Sequence, residues 1–142
     1  MFNKIFVPID LNDEPSWKLA LPRALKLAKE DNAELLLFNV VPDFGMAMVG
    51  SFFPKDYAQK AIEHAEYELK AVARNHVPAD QKVTCYVRHG SIYKEINKIA
   101  DKLGADLIVI SSYQPNSTDI VLGPNAARVV RYARQSVFVV RN

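Results

Sequence analysis

The chain has 142 residues, 49% of them hydrophobic and 24% charged, which fits one globular domain with a substantial core at residues 1–142. A net charge of only +2, with no clustered Lys and Arg interleaved with aromatic residues, predicts no nucleic-acid partner. There is no bilayer-length apolar run and no secretory pattern, and the lone Cys85 excludes an internal disulfide. We therefore expect a cytoplasmic protein with no membrane partner.

The first third of the chain predicts a strand followed by a helix. The short apolar run from Lys4 to Ile9 is typical of a strand buried on both faces. A helical pattern then extends from about Glu14 to Glu30, and Pro15 suits its first turn. Because Pro22 does not suit a helix interior, we expect a kink or a later helix start at that residue.

The middle third predicts a second strand, a long loop, a second helix and a third strand. An apolar strand spans Ala33–Val41, and the loop from Pro42 to Pro54 carries several large apolar side chains. That loop is a lid over a ligand, a partner-docking patch or, as we favour, a segment folded onto the domain. A helix from about Lys55 to Asn75 precedes the alternating run Lys82–Arg88, which indicates a half-exposed edge strand.

The last third predicts two further helices and two further strands. Ser91 suits the N-cap of a helix that ends near Leu103–Gly104. Apolar runs predict strands at Asp106–Ser111 and Ser136–Arg141, with a helix from about Pro124 to Ala133 between them.

The alternation of strands and helices predicts an α/β fold with a doubly wound, five-stranded parallel sheet and helices on both faces, as in Rossmann-like proteins. The most apolar strands, the first, second and fourth, should be central. The alternating third strand should lie at an edge. With right-handed crossovers, these conditions predict strand order 3-2-1-4-5.

A ligand crevice is expected where this strand order reverses, at the carboxyl ends of the first and fourth strands. Those ends carry Asp10 and the pair Ser111 and Ser112. Asp10 is either a ligand contact or an N-cap and turn residue before the first helix, and the sequence leaves both open. The segment Gly123–Asn125 is either an anion cradle or, as we favour, ordinary helix-start chemistry.

The remaining reactive side chains fit structural roles. Cys85 is expected to be a small core hydrophobe. His64 and His76 are expected on a solvated helix, and His89 in the turn before the third helix. None of these residues shows metal-ligand spacing.

The fifth strand predicts a homodimer. It lies at an edge in the proposed order, yet its centre is apolar and has no Pro or Lys. Such an edge invites strand pairing, and a second copy would cover it symmetrically. The predicted dimer interface consists of Val137, Phe138, Val139 and Val140.

Four segments in the same order, residues 7–10, 105–110, 122–126 and 136–141, together resemble the universal stress protein family, most closely its small single-domain bacterial branch. The resemblance covers essentially the whole chain. It implies this fold, a homodimer through the last strand and, for some members, binding of ATP or AMP. Val40 matches the position whose backbone contacts adenine in nucleotide-binding members. The nucleotide-binding residues implied in this chain are Pro8, Ile9, Asp10, Val40, Ser111, Ser112, Gly123, Pro124 and Asn125.

The phosphate loop departs from the family pattern. Nucleotide-binding members carry Gly-x2-Gly-x9-Gly-(Ser/Thr), which falls here on Ser111, Gln114, Gly123 and Pro124, with Gly123 one residue closer than the pattern asks. Side chains at the first two positions restrict close approach of phosphate, and the proline removes one N–H donor. No Lys or Arg lies between residues 102 and 128. The loop therefore disfavours a triphosphate as ligand, whereas AMP or a smaller anion is still compatible with it.

Two functions remain open. The chain is a stress-response or regulatory module that binds an adenine nucleotide, ATP or AMP, with or without Mg²⁺. Alternatively, it is a dimeric interaction protein of the same fold that binds no nucleotide. The sequence has no motif for an efficient enzyme, and slow ATP hydrolysis is a third alternative.

Overall fold

The computed structural model describes residues 1–43, 56–112 and 124–141. Strands and helices alternate along it, which confirms the predicted α/β order. The interpretations of residues 44–54 as lid, docking patch or folded-back loop lie outside the described residues, as do Gln114 and Gly123. The elements are β1 (Lys4–Pro8), α1 (Glu14–Asp31), β2 (Glu34–Pro42), α2 (Tyr57–His76), β3 (Val83–Gly90), α3 (Ile92–Lys102), β4 (Leu107–Ser112), α4 (Pro124–Tyr132) and β5 (Ser136–Arg141).

The five strands form one parallel sheet in the order β3-β2-β1-β4-β5, which confirms the predicted topology. β1 lies at the centre because its residues Ile5, Phe6 and Val7 are completely buried and need cover on both faces. The chain leaves β1 toward β2 and later returns to the other side of β1 as β4. The order therefore reverses between β1 and β4, at the carboxyl edge where a cleft can open.

Helices cover both faces of the sheet, as predicted. Ile5 and Val7 pack in the cluster that contains α1 and α2 residues, whereas Phe6 packs in the cluster that contains α3 and α4 residues. This division follows from the alternation of side chains along a strand. Within the part of the chain that the structure describes, no helix combines the length and the apolar character that crossing a membrane requires.

Two details of the sequence prediction are wrong. α1 begins at Glu14, with Pro15 in its first turn, so the alternative of a later start at Pro22 does not hold. Pro22 lies inside the helix on its exposed side, where water can replace the backbone donor that the proline lacks. His89 belongs to β3 rather than to a turn, because pairing with β2 continues through His89 to Gly90.

The ends of α3 lie where the sequence predicted them. Ser91 occupies the N-cap position with extended backbone, although its side chain makes no capping hydrogen bond among the described residues. After α3, Gly104 has φ +70°, a left-handed conformation that favours glycine. The space around Gly104 is open, so the backbone conformation rather than crowding selects glycine.

Candidate functional site

A cleft of about 560 Å³ opens at the carboxyl edge of the sheet, where the strand order reverses. It brings together eight of the nine predicted nucleotide-binding residues, and the ninth, Gly123, lies outside the described residues. The end of β1, the end of β2, the end of β4 and the start of α4 all contribute to its walls. The eight residues are Pro8, Ile9, Asp10, Val40, Ser111, Ser112, Pro124 and Asn125.

A buried asparagine fixes the floor of the cleft between β1 and β2. Asn39 is 7% exposed, and its Nδ2 donates a hydrogen bond to the carbonyl of Ile9 at 2.8 Å. The N–H of Ile9 in turn donates to the carbonyl of Phe38 at 2.7 Å. These two bonds hold the chain immediately before Asp10. Sequence reasoning missed Asn39, although a polar side chain within the apolar run of β2 was a usable signal.

Asp10 shapes the turn that follows β1. Its Oδ1 accepts a hydrogen bond from the N–H of Asn12 at 2.9 Å, and its carbonyl accepts one from the N–H of Asp13 at 3.1 Å. The turn role predicted for Asp10 is confirmed, but the N-cap role is wrong, because Asp13 is the N-cap residue of α1. Asp10 is exposed and lines the cleft, so its carboxylate also faces the space available to a ligand.

Ser111 connects the end of β4 to the first turn of α1. Its Oγ donates a hydrogen bond to the carbonyl of Ser16, and the Oγ of Ser16 donates to the carbonyl of Asp13 at 2.6 Å. The Ser111 hydroxyl is therefore engaged with the protein, and its side chain occupies space that a glycine would leave open. Ser112, the next residue, is buried at 5% exposure.

The start of α4 forms a further wall of the cleft. Pro124 is the first residue of α4, and Asn125 and Ala126 follow it in the cleft lining. The first N–H groups of a helix have no partner within the helix and carry partial positive charge. Pro124 supplies no N–H, so Asn125 and Ala126 provide the first such groups at this helix terminus.

α2 contributes a wall that the sequence did not reveal as part of the site. Tyr57, His64 and Glu68 line the cleft. His64 Nε2 lies 2.6 Å from Glu68 Oε1, one helical turn away. The prediction that His64 lies on a solvated helix is confirmed, since it is exposed, but it also borders the cleft.

The cleft carries negative charge. Among its described residues are three carboxylates, Asp10, Asp13 and Glu68, together with His64 and no Lys or Arg. Repeated negative charge raises the cost of placing a polyphosphate there. The described residues also include no group of three or more His, Cys, Asp or Glu side chains able to hold a metal ion.

Cys85 lies away from this cleft. It packs against the core cluster beneath α2, in agreement with its predicted role as a core hydrophobe, although it is only partly buried. Burial raises the pKa of the Cys85 thiol, and the charge of Lys70 opposes that effect only in part.

Comparison with known proteins identifies the class of protein. A family model described as the universal stress protein family matches residues 1–141. The chain therefore belongs to the universal stress protein family, as the sequence resemblance indicated.

The relatives match over nearly their whole length. The chain is 29% identical to Universal stress protein G of Shigella flexneri over 143 residues, covering 99% of this chain and 100% of the relative. It is 24% identical to a universal stress protein of Methanocaldococcus jannaschii, covering 99% of this chain and 96% of that protein.

Solved structures share the fold. The structure of the Methanocaldococcus jannaschii protein has a TM-score of 0.76 and 26% identity, covering 100% of this chain and 97% of that chain. A universal stress protein in complex with cAMP has a TM-score of 0.61 at 21% identity, with 99% of this chain and 97% of that chain covered. One from Archaeoglobus fulgidus in complex with dAMP has a TM-score of 0.61 at 16% identity, with 97% of both chains covered.

Proposed function

We propose that this chain is a single-domain regulatory module of the stress response that binds an adenine nucleotide, of the monophosphate class, in the cleft at the carboxyl edge of the sheet. The observation that carries the proposal is the convergence of separate chain segments on one cleft at the reversal of strand order. Structures of the same fold in complex with cAMP and with dAMP support an adenine mononucleotide as ligand.

Each part of the ligand has a matching part of the cleft. Val40, half-buried at the end of β2, lines the cleft, and its backbone can provide a donor and an acceptor for adenine. The Asp10 carboxylate can accept hydrogen bonds from ribose hydroxyls. The N–H groups at the start of α4, beside Asn125, suit the phosphate.

The charge of the cleft favours a monophosphate over a triphosphate. Asp10, Asp13 and Glu68 repel additional phosphate groups, and no described Lys or Arg in the lining compensates them. The Ser111 side chain further limits close approach at the end of β4. ATP would therefore need a cation such as Mg²⁺ to offset these carboxylates, whereas AMP would not.

Thermal unfolding with added nucleotide tests this proposal. A ligand at a hundred times its dissociation constant stabilises the folded state by about 2.7 kcal/mol. We expect AMP to raise Tm without Mg²⁺, and ATP to raise it less unless Mg²⁺ is present. No change in Tm at millimolar AMP, with or without Mg²⁺, would contradict nucleotide binding and favour the interaction protein that binds none.

We also propose that the chain forms a homodimer through β5. This strand lies at the edge of the sheet, and Phe138 on it is 39% exposed. Val137 and Val139 are half-buried, and Val140 is buried within its own subunit. The contact would therefore come from the open backbone edge and from Phe138 more than from Val140. Light scattering at micromolar concentration tests it, and a monomeric mass would contradict it.

A further inference from the structure

We propose that the outer surface of α3 and α4 binds single-stranded nucleic acid. This α3–α4 basic surface consists of Tyr93, Lys94, Lys98, Arg128, Arg131 and Tyr132. It is formed by the two helices on the face of the sheet opposite α1 and α2. The proposal does not depend on the function assigned to the cleft.

Charge in this protein is strongly asymmetric. Residues 92–102 and 124–141 together contain seven Lys and Arg and two acidic residues, a net charge of +5, although the whole chain carries only +2. The rest of the chain is therefore net acidic. No Asp or Glu occurs between residues 124 and 141. A small net charge thus conceals one basic side of the molecule.

The acidic residues of this region do not neutralise the basic surface. Asp101 pairs with residues outside this surface. Its Oδ2 lies 3.9 Å from Nε of Arg134, and its Oδ1 accepts a hydrogen bond from Nε2 of Gln135 at 2.8 Å. The Glu95 side chain lies beside Gly90 at the end of β3, where a Cβ added to that glycine would meet it. Among the described residues, no salt bridge is formed by the four cations of the surface, Lys94, Lys98, Arg128 and Arg131.

Two tyrosines hold the arginines of this surface in place. The rings of Tyr93 and Tyr132 stack across the two helices, with centroids 6.0 Å apart and an interplanar angle of 28°. Arg128 lies over the Tyr93 ring, with Cζ 5.1 Å from its centroid, and Arg131 lies over the Tyr132 ring at 5.6 Å. Guanidinium groups that are held in this way lose less conformational entropy when they bind phosphate.

The combination of aromatic rings and cations favours nucleic acid over an acidic peptide or an anionic membrane. All three ligands would engage the positive charge. Only nucleic acid adds bases that stack on aromatic rings and guanidinium planes. Tyr132 is 58% exposed, so a base can reach the edge of its ring and the Arg131 guanidinium that lies over it. The sequence predicted no nucleic-acid partner because these residues are dispersed along the chain, and the fold brings them together.

Fluorescence anisotropy with a short fluorescein-labelled oligouridylate tests the proposal on the full chain. We expect binding that weakens as the salt concentration rises. The double variant Arg128→Gln with Arg131→Gln should bind more weakly, and its slope of log affinity against log salt should be smaller by about 1.4. This value follows because each phosphate contact contributes about 0.7 to the slope for a single strand. The matched control is Lys26→Gln with Lys29→Gln, which removes equal charge from α1 on the opposite face of the sheet. An equal loss in both double variants would overturn the proposal.

A second variant tests the ring of Tyr132, which is exposed and also holds Arg131. Tyr132→Leu keeps every cation, and we expect it to weaken oligouridylate binding at least about fivefold while circular dichroism stays unchanged. Unchanged affinity would overturn the stacking role. Polyglutamate or phosphatidylserine vesicles that bind as tightly as the oligonucleotide would overturn the choice of nucleic acid. Saturating AMP is expected to leave oligonucleotide binding unchanged, because the surface lies outside the cleft.

Discussion

Replacing Asn39 with leucine should destabilise the protein through a single lost hydrogen bond. Asn39 Nδ2 donates to the Ile9 carbonyl at 2.8 Å, and both residues are almost completely buried. Leucine would fill a similar volume but would leave that carbonyl without a donor, at a cost of about 1–3 kcal/mol. Asn39→Asp should cost more, because a carboxylate would face the same carbonyl in a poorly hydrated place.

Urea denaturation followed by circular dichroism measures this effect. With a denaturant slope of about 1–3 kcal/mol per molar, the midpoint for Asn39→Leu should fall by roughly 1 M. Asn75→Asp is the control for the aspartate variant, since Asn75 is exposed in the last turn of α2 and a negative charge there costs only about 0.3–1 kcal/mol. If Asn39→Leu unfolds at the wild-type midpoint, the carbonyl of Ile9 does not need this donor and the reasoning fails.

Further predictions concern the cleft, the dimer and two titrating groups. Asp10→Ala should weaken AMP binding, measured by calorimetry, at least about tenfold because the ribose would lose a charged hydrogen-bond acceptor. The control Asp80→Asn, at an exposed residue, should leave AMP binding unchanged. Phe138→Lys should convert the proposed dimer to a monomer in light scattering, and an unchanged dimeric mass would exclude β5 as the interface. Because burial raises its pKa, the Cys85 thiol should react with a disulfide reagent more slowly at neutral pH in the folded than in the urea-unfolded protein. A hydrogen bond from the Phe2 N–H lowers the pKa of Asp31. The Asp31 carboxylate should therefore stabilise the folded state fully above its unfolded-state pKa, and this stabilisation should be lost as pH falls through its folded-state pKa. In a plot of urea midpoint against pH, Asp31→Asn should flatten the fall over this acidic range.

The fold was predictable from the sequence because its elements carry strong local signals. The apolar run of β1 and the alternating run of β3 indicated a central and an edge strand, and the topology rules for parallel sheets left few alternatives. Pro22 misled the prediction because intrinsic propensity says nothing about exposure, and an exposed turn tolerates the lost donor.

The site was predictable only in part. Strand ends can be located from sequence, so Asp10 and Ser111 were found. Asn39 and the α2 wall with His64 and Glu68 were not, because their approach to the cleft depends on how separate elements pack. The packing of distant segments also explains why the sequence did not reveal the basic surface. Its two tyrosines lie 39 positions apart in the chain, yet their rings stack across two helices.

A crystal structure grown with AMP tests the central claim most directly. The account predicts adenine beside the backbone of Val40, the ribose hydroxyls within hydrogen-bond distance of the Asp10 carboxylate, and the phosphate at the N–H groups that begin α4 beside Asn125. A cleft without nucleotide at millimolar AMP, or AMP bound elsewhere on the protein, would contradict it.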